Sequence, residues 1–174
     1  MKAFKDLTSK GQKIRIVEDA ITQINAGILN PNNRGEYLIF GNNKARYNSP
    51  KVSLQKLFKE EKNLDCECCA KGALFASYII NVNKVSNKDR YNSEYFQKEK
   101  LKSWFPIEEL DLIEAAFEGM VIQDDEGILK EGGCWGNPTK LAEKAFKFYK
   151  KYKDPKKRLL AILENILINK EFTL

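Results

Sequence analysis

Apolar residues recur at helical spacing in several separate segments of this chain, and this periodicity constrains its fold more than any other feature. In the first segment, Ile14, Val17, Ile21 and Ile24 lie on one face of a predicted helix over residues 12–26. Such spacing is typical of amphipathic helices that pack against a core. The same reasoning predicts further helices that begin near Pro50, Cys66, Pro106, Thr139 and Pro155.

Residues at the ends of these segments support the assignment. Gly27 and Gly119 follow apolar runs and predict helix C-termini. Asp154 followed by Pro155 predicts a strong N-cap with proline at the first helical position. The segment 66–81 is apolar nearly all round, so we expect it to be the central buried helix.

Only a few segments depart from this pattern. Residues 36–40 form a short β-prone run, residues 41–43 are typical of a turn, and residues 45–47 fit a returning strand. We expect an ordered loop over 83–103 and an irregular, glycine-rich segment over 120–138. The predicted fold is therefore mainly α: one domain over residues 1–174, a helical bundle of about six helices with a small β-hairpin insertion near residues 36–47.

Composition restricts the chemistry, because the 174 residues include no histidine. Catalytic Ser-His-Asp and Cys-His systems need an imidazole base, and many zinc sites need a histidine ligand. The sequence contains no nucleotide-binding glycine motif and no calcium-binding loop. We therefore predict neither a cofactor nor a metal, and expect a protein that is not an enzyme.

Four cysteines remain as candidate reactive groups: Cys66, Cys68, Cys69 and Cys134. The first three lack the spacing of structural zinc ligands, and on a helix Cys66 and Cys68 would point apart. We expect Cys69 to act as a small buried apolar residue. A metal site and a redox or nucleophilic thiol are the alternatives.

Charge is divided between two consecutive blocks, within a net charge of +6. Residues 108–131, which we call the acidic block, hold nine acidic residues and one lysine. This block fits a solvated helix face, an anionic surface for a partner, or the paired carboxylates of an enzyme. Residues 139–158 hold nine basic residues and two acidic ones.

The densest basic segment supplies the predicted binding site. It consists of Lys150, Lys151, Lys153, Lys156, Lys157 and Arg158. These side chains are suited to phosphate groups, with Tyr149 and Tyr152 available to stack on bases. The alternatives are an ordinary solvated surface and pairing with the acidic block.

The expected location is the cytoplasm. Residues 1–6 lack the apolar core of a signal peptide, and the longest uncharged apolar stretch is the 11 residues 72–82. A transmembrane helix needs about 20 such residues. We therefore expect no membrane association and reduced cysteines.

Three segments resemble small, uncharacterised accessory proteins of bacteriophages and prophages. They are the helix at residues 16–27 followed by Gly35-Glu-Tyr-Leu38, the run 66–74 beginning Cys66-Glu-Cys-Cys69, and the run 154–166 beginning Asp154-Pro-Lys-Lys-Arg158. The resemblance implies a non-catalytic protein that binds host machinery, and within that group an anti-CRISPR type of host-defence inhibitor that contacts protein, guide RNA or both. Alternatives are a carboxylate- or cysteine-dependent enzyme and a phage structural or assembly protein.

Overall fold

The fold of the chain is given by a computed structural model. The structure describes residues 3–32, 38–40, 55, 58, 65–82, 94–119, 121–123, 129–131 and 140–174. The return strand of the predicted hairpin (45–47) and Cys134 lie outside these ranges.

Helices dominate the described chain, which confirms the mainly α prediction. A short 3₁₀ helix, Phe4–Asp6, precedes six α-helices whose bounds lie within the described ranges. These are α1 (Ser9–Asn25), α2 (Ala70–Val82), α3 (Glu94–Leu101), α4 (Ile107–Glu118), α5 (Lys140–Lys151) and α6 (Pro155–Asn169). In the described ranges, no helix combines the length and the apolar character that crossing a membrane requires.

Helix ends lie close to where local chemistry places them. Asp154 Oδ1 accepts a hydrogen bond from the Lys157 backbone N–H at 2.7 Å, as expected of an N-cap. Gly119 ends α4 with a positive φ of 65°. The first helix begins earlier than predicted, because Thr8 Oγ1 accepts from the Gly11 N–H at 3.2 Å and caps Ser9–Asn25.

Within the described ranges, five short strands form two small sheets. They are β1 (Leu29–Pro31), β2 (Leu38–Phe40), β3 (Cys66–Cys68), β4 (Val121–Gln123) and β5 (Leu129–Glu131). In the first sheet β3 is central, parallel to β1 and antiparallel to β2. The predicted strand near residue 38 is therefore present, and its described partner is β3. Strands β4 and β5 form an antiparallel pair within the segment expected to be irregular.

Two predictions for individual segments are wrong, and in both cases contacts with residues remote in the chain determine the structure. Residues 66–68 are a strand rather than the first turn of α2, since remote segments supply their pairing partners: Leu29 is opposite Cys66, and Leu38 is opposite Cys68. Helix α3 replaces part of the loop predicted over 83–103. Its Leu101 is fully buried, and its Phe96 ring packs edge-on against Phe75 of α2.

Helix α2 lies at the centre of the core, as predicted. Every residue from position 70 to position 79 is buried. Helices α1, α3 and α4 all pack against α2, while α6 packs against α1 and α4. Phe58 is also buried in this core. This core fixes the positions of α5 and α6, whose junction carries the predicted site.

Candidate functional site

The candidate site is a basic surface at the junction of α5 and α6. It contains five exposed lysines, Lys150, Lys151, Lys153, Lys156 and Lys157, and we call these five residues the basic surface. Only residues 152–154 separate the two helices, since Asp154 and Pro155 start α6 at once. The last turn of α5 and the first turn of α6 therefore present their lysines close together.

Described carboxylates of the acidic block pair with lysines outside the basic surface. Three of them pair with lysines of other helices: Glu109 with Lys13 (2.6 Å), Asp111 with Lys98 (2.6 Å) and Glu114 with Lys71. Glu109 and Glu114 are buried, so these two acids are neither a solvated face nor a partner surface. Among the residues that the structure describes, no carboxylate pairs with Lys151, Lys153, Lys156 or Lys157.

The helix dipole favours only two of the five lysines of the basic surface. Lys150 and Lys151 lie in the last turn of α5, where the partial negative charge of the helix C-terminus favours cations. Lys156 and Lys157 lie in the first turn of α6, which contains no acidic residue. Their charge adds to the partial positive charge of the helix N-terminus, a cost in stability that the single capping carboxylate of Asp154 offsets only in part. The arrangement concentrates positive potential where an anion would reduce that cost.

The predicted site includes Arg158, but this residue does not belong to the basic surface, because only 2% of its surface is exposed. Its guanidinium donates to the carbonyl oxygens of Phe117 (2.6 Å), Tyr152 (2.8 Å) and Lys153 (3.3 Å). Burial lowers the pKa of this guanidinium from its ordinary value, yet arginine stays charged in proteins. Arg158 therefore ties the α5–α6 turn to the end of α4 instead of contacting a partner.

The two tyrosines expected to stack on bases are already engaged within the molecule. The Tyr149 ring lies 4.0 Å from the Arg158 guanidinium carbon, a cation–π contact. The Tyr152 ring lies 5.0 Å from that of Phe148. Lys150 Nζ is 4.3 Å from the centre of the Phe146 ring, so this ring too is partly covered.

Sequence reasoning missed a second group of lysines that continues the site along α5. Lys144, Lys147 and Lys151 are exposed and follow one another at i, i+3 and i+7. We call these three residues the α5 lysine row. Lys144 Nζ also donates to the Leu174 carbonyl oxygen at 3.1 Å. The helical spacing of these lysines is the signal that identifies the row. The predicted site depends instead on charge density along the sequence, which does not show which lysines share a helix face.

The described cysteines are poorly suited to nucleophilic chemistry. Cys66, Cys68 and Cys69 are buried, and the first two share one face of β3 instead of pointing apart. Cys69 precedes α2, and its Sγ accepts from the Gly72 N–H at 3.3 Å. Burial, with the carboxylates of Glu118 and Glu114 adding to it, raises the pKa of Cys69 to about 12. This thiol is protonated at neutral pH.

Burial also raises the pKa of Cys68 well above its ordinary value, and the neighbouring Cys66 adds to this effect. A metal ligand must be a thiolate, which such an environment disfavours. Among the residues whose positions the structure gives, no group of three or more cysteine and acidic side chains could hold a metal ion.

Comparisons with known proteins assign no family to this arrangement: no protein-family model, no curated protein and no solved structure matches the chain.

Proposed function

We propose that this chain is a binding protein that acts by occupancy, and that its basic surface engages the phosphate backbone of a nucleic acid, either alone or within a ribonucleoprotein. One observation carries the proposal. Five lysines lie exposed at one helix junction, two of them in a helix first turn where they cost stability. A polyanion would offset that cost.

Nucleic acid fits this surface better than an acidic protein does. The centre of a protein–protein interface usually contains apolar or aromatic anchors. The large apolar side chains that the described structure exposes are Tyr95, Ile107 and Ile168, and none belongs to the basic surface. Ile168 is on α6, but 11 residues beyond Lys157, or about 16 Å along the helix.

The chemistry of the chain favours binding over turnover. It has no imidazole to act as a general base. The thiol of Cys69 is protonated at neutral pH, because burial raises its pKa. Glu109 and Glu114 are committed to buried ion pairs.

The finer form of the proposal follows the resemblance to phage accessory proteins. In that form, the bound nucleic acid is the guide RNA of a CRISPR-type defence effector of the host, and occupancy inhibits the effector. The resemblance lies partly in the segment 154–166, which contains Lys156 and Lys157.

Charge reversal at the helix start tests the general proposal. The variant Lys156→Glu/Lys157→Glu should bind labelled RNA about a hundred-fold more weakly than the wild type, because several phosphate contacts are lost. The fold should not suffer, since acidic residues in a helix first turn are stabilising. Fluorescence anisotropy at physiological salt measures the affinity, and thermal unfolding checks the fold.

The matched control is Lys5→Glu/Lys10→Glu. It makes the same change in net charge at two exposed lysines of the N-terminal helices, and Lys10 also lies in a helix first turn. Its affinity should stay within about three-fold of the wild type, because neither lysine belongs to the basic surface or to the α5 lysine row. An equal loss in both variants, or no binding of either RNA or DNA by the wild-type chain, would contradict the proposal.

The finer proposal needs a defined partner. A purified CRISPR effector carrying its guide RNA should be retained by the wild-type chain and released by the Lys156→Glu/Lys157→Glu variant. Ribonuclease treatment should also abolish retention. Equal retention of the effector without its guide RNA would show that protein contacts suffice, and would contradict this form.

A further inference from the structure

The α5 lysine row adds exposed charge along one face of α5 to the basic surface. Lys144 and Lys151 are seven residues apart on that face, which places their backbone positions about 10 Å apart along the helix axis. Lys153, Lys156 and Lys157 follow Lys151 in the chain and are exposed in the turn and at the start of α6.

A duplex presents more phosphate to such a row than a single strand does. Duplex DNA carries one negative charge per about 1.7 Å of axis, and each of its strands carries one per about 3.4 Å. Over the length of the α5 lysine row, a duplex therefore carries about six phosphates around its axis, and one strand carries about half as many. More phosphates within reach allow more counterions to be released on binding.

Single strands are usually held by aromatic rings as well as by charge. The rings beside the basic surface already have partners: Tyr149 contacts Arg158, Tyr152 contacts Phe148, and Phe146 stacks with Tyr149. In the part of this surface that the structure describes, lysine charge is thus the main feature offered to a nucleic acid.

Sequence-specific readout also lacks its usual side chain here. Base edges are most often read by the forked guanidinium of arginine, whereas lysine acts as a point charge. Arg158, the arginine of this segment, donates to three backbone carbonyl oxygens and is 2% exposed. A base edge cannot reach it without breaking these bonds.

We propose that the basic surface and the α5 lysine row together bind duplex nucleic acid through its phosphate backbone, in preference to single strands and without regard to base sequence. This inference rests on the proposed function and narrows its partner to the duplex regions of an RNA or DNA.

The test uses the full chain with four labelled probes of equal length: an RNA duplex, a DNA duplex of the same sequence, a second RNA duplex of unrelated sequence, and oligouridine. Both duplex types should bind at least about ten-fold more tightly than oligouridine, and the two RNA duplexes should agree within about two-fold. The logarithm of the association constant should fall with the logarithm of salt concentration with a slope of about −5. The ratio between RNA and DNA duplexes distinguishes A-form from B-form geometry.

Two variants test whether the α5 lysine row contributes to the salt dependence of binding. Lys147→Gln/Lys151→Gln should reduce the steepness of the salt dependence by about 2, because two phosphate contacts are lost. The control Lys5→Gln/Lys10→Gln should leave the slope unchanged. An unchanged slope in the first variant would overturn the assignment of the α5 lysine row.

Different binding results would overturn the duplex preference alone or the proposed function as well. Oligouridine that binds as tightly as the duplexes, or RNA duplexes whose affinities differ about ten-fold or more, would overturn this inference and leave the proposed function intact. No binding to any of the four probes would overturn both.

Discussion

Gly119 shows how one residue determines the approach of two helices. It ends α4 with a positive φ of 65°, a conformation that residues with a Cβ adopt at a cost. A Cβ built on Gly119 would lie 2.5 Å from Cδ1 of Tyr149 on α5. This position therefore requires glycine for its backbone and for its lack of a side chain. The same Tyr149 ring contacts Arg158, so the contact also supports the turn that carries the basic surface.

Gly119→Ala should lower the free energy of unfolding by about 3 kcal/mol, from the positive φ and from overlap with the ring together. Gly27→Ala is the matched control, because Gly27 also has a positive φ, 73°, but no atom lies within 4 Å of the point that a Cβ would occupy there. It should cost about 1 kcal/mol. Urea unfolding of both variants measures the difference, and equal losses would show that the Tyr149 ring moves aside freely.

The burial of Arg158 is a feature of the site that the sequence does not predict. Arg158 and Lys157 are adjacent basic residues in one charged run, and sequence alone assigns them the same role. Lys157 is exposed, while Arg158 points into the space between α4, α5 and the turn that joins α5 to α6. Charge density identifies such a run, but burial depends on the orientation of α6 against its neighbours. The exposed lysines could thus be predicted as a group and the buried arginine could not be separated from them.

At the scale of elements, the predictable features were those determined by nearby residues. Asp154 and Pro155 start α6 through one capping bond and one preset backbone angle, so the sequence locates this helix. Strand β3 depends on pairing with Leu29 and Leu38, which are 37 and 30 residues away from Cys66 and Cys68 in the chain. Such long-range pairing leaves no periodic signal in a run of three residues.

The junction of α5 and α6 depends on Arg158 as an internal tie. Arg158→Met should lower the free energy of unfolding by about 3 kcal/mol, because the variant leaves the carbonyl oxygens of Phe117, Tyr152 and Lys153 without their donor. Lys157→Met removes the neighbouring exposed cation and should change stability by no more than about 0.5 kcal/mol. Chemical denaturation of both variants gives the comparison. A similar small effect in both would mean that Arg158 does not hold the turn.

The buried charged residues and the exposed charged residues of this molecule have different structural roles. Buried lysines of α1 and α2 bind the carboxylates of α4, and they join three helices of the core. The exposed lysines of the basic surface lie at the junction of α5 and α6. The acidic and basic blocks that stand side by side in the sequence therefore have different roles: part of the first holds the fold together, and the second forms the candidate site. A charge count along the chain cannot reveal this division, because it does not register which charges are buried.

The pair formed by Lys13 and Glu109 provides the test of this division. Lys13 Nζ lies 2.6 Å from Glu109 Oε2, and Glu109 Oε1 accepts from the Phe172 backbone N–H at 2.8 Å. Lys13→Met leaves a buried carboxylate without its cation and should cost about 3 kcal/mol. Glu109→Gln keeps an acceptor for Phe172 but leaves the ammonium group unpaired, at a similar cost.

The double variant should lose at least about 1.5 kcal/mol less free energy of unfolding than the sum of the losses in the two single variants, because no unpaired charge remains buried. Urea unfolding of the four proteins gives this coupling directly. Additive losses would mean that the two charges are stabilised independently of each other.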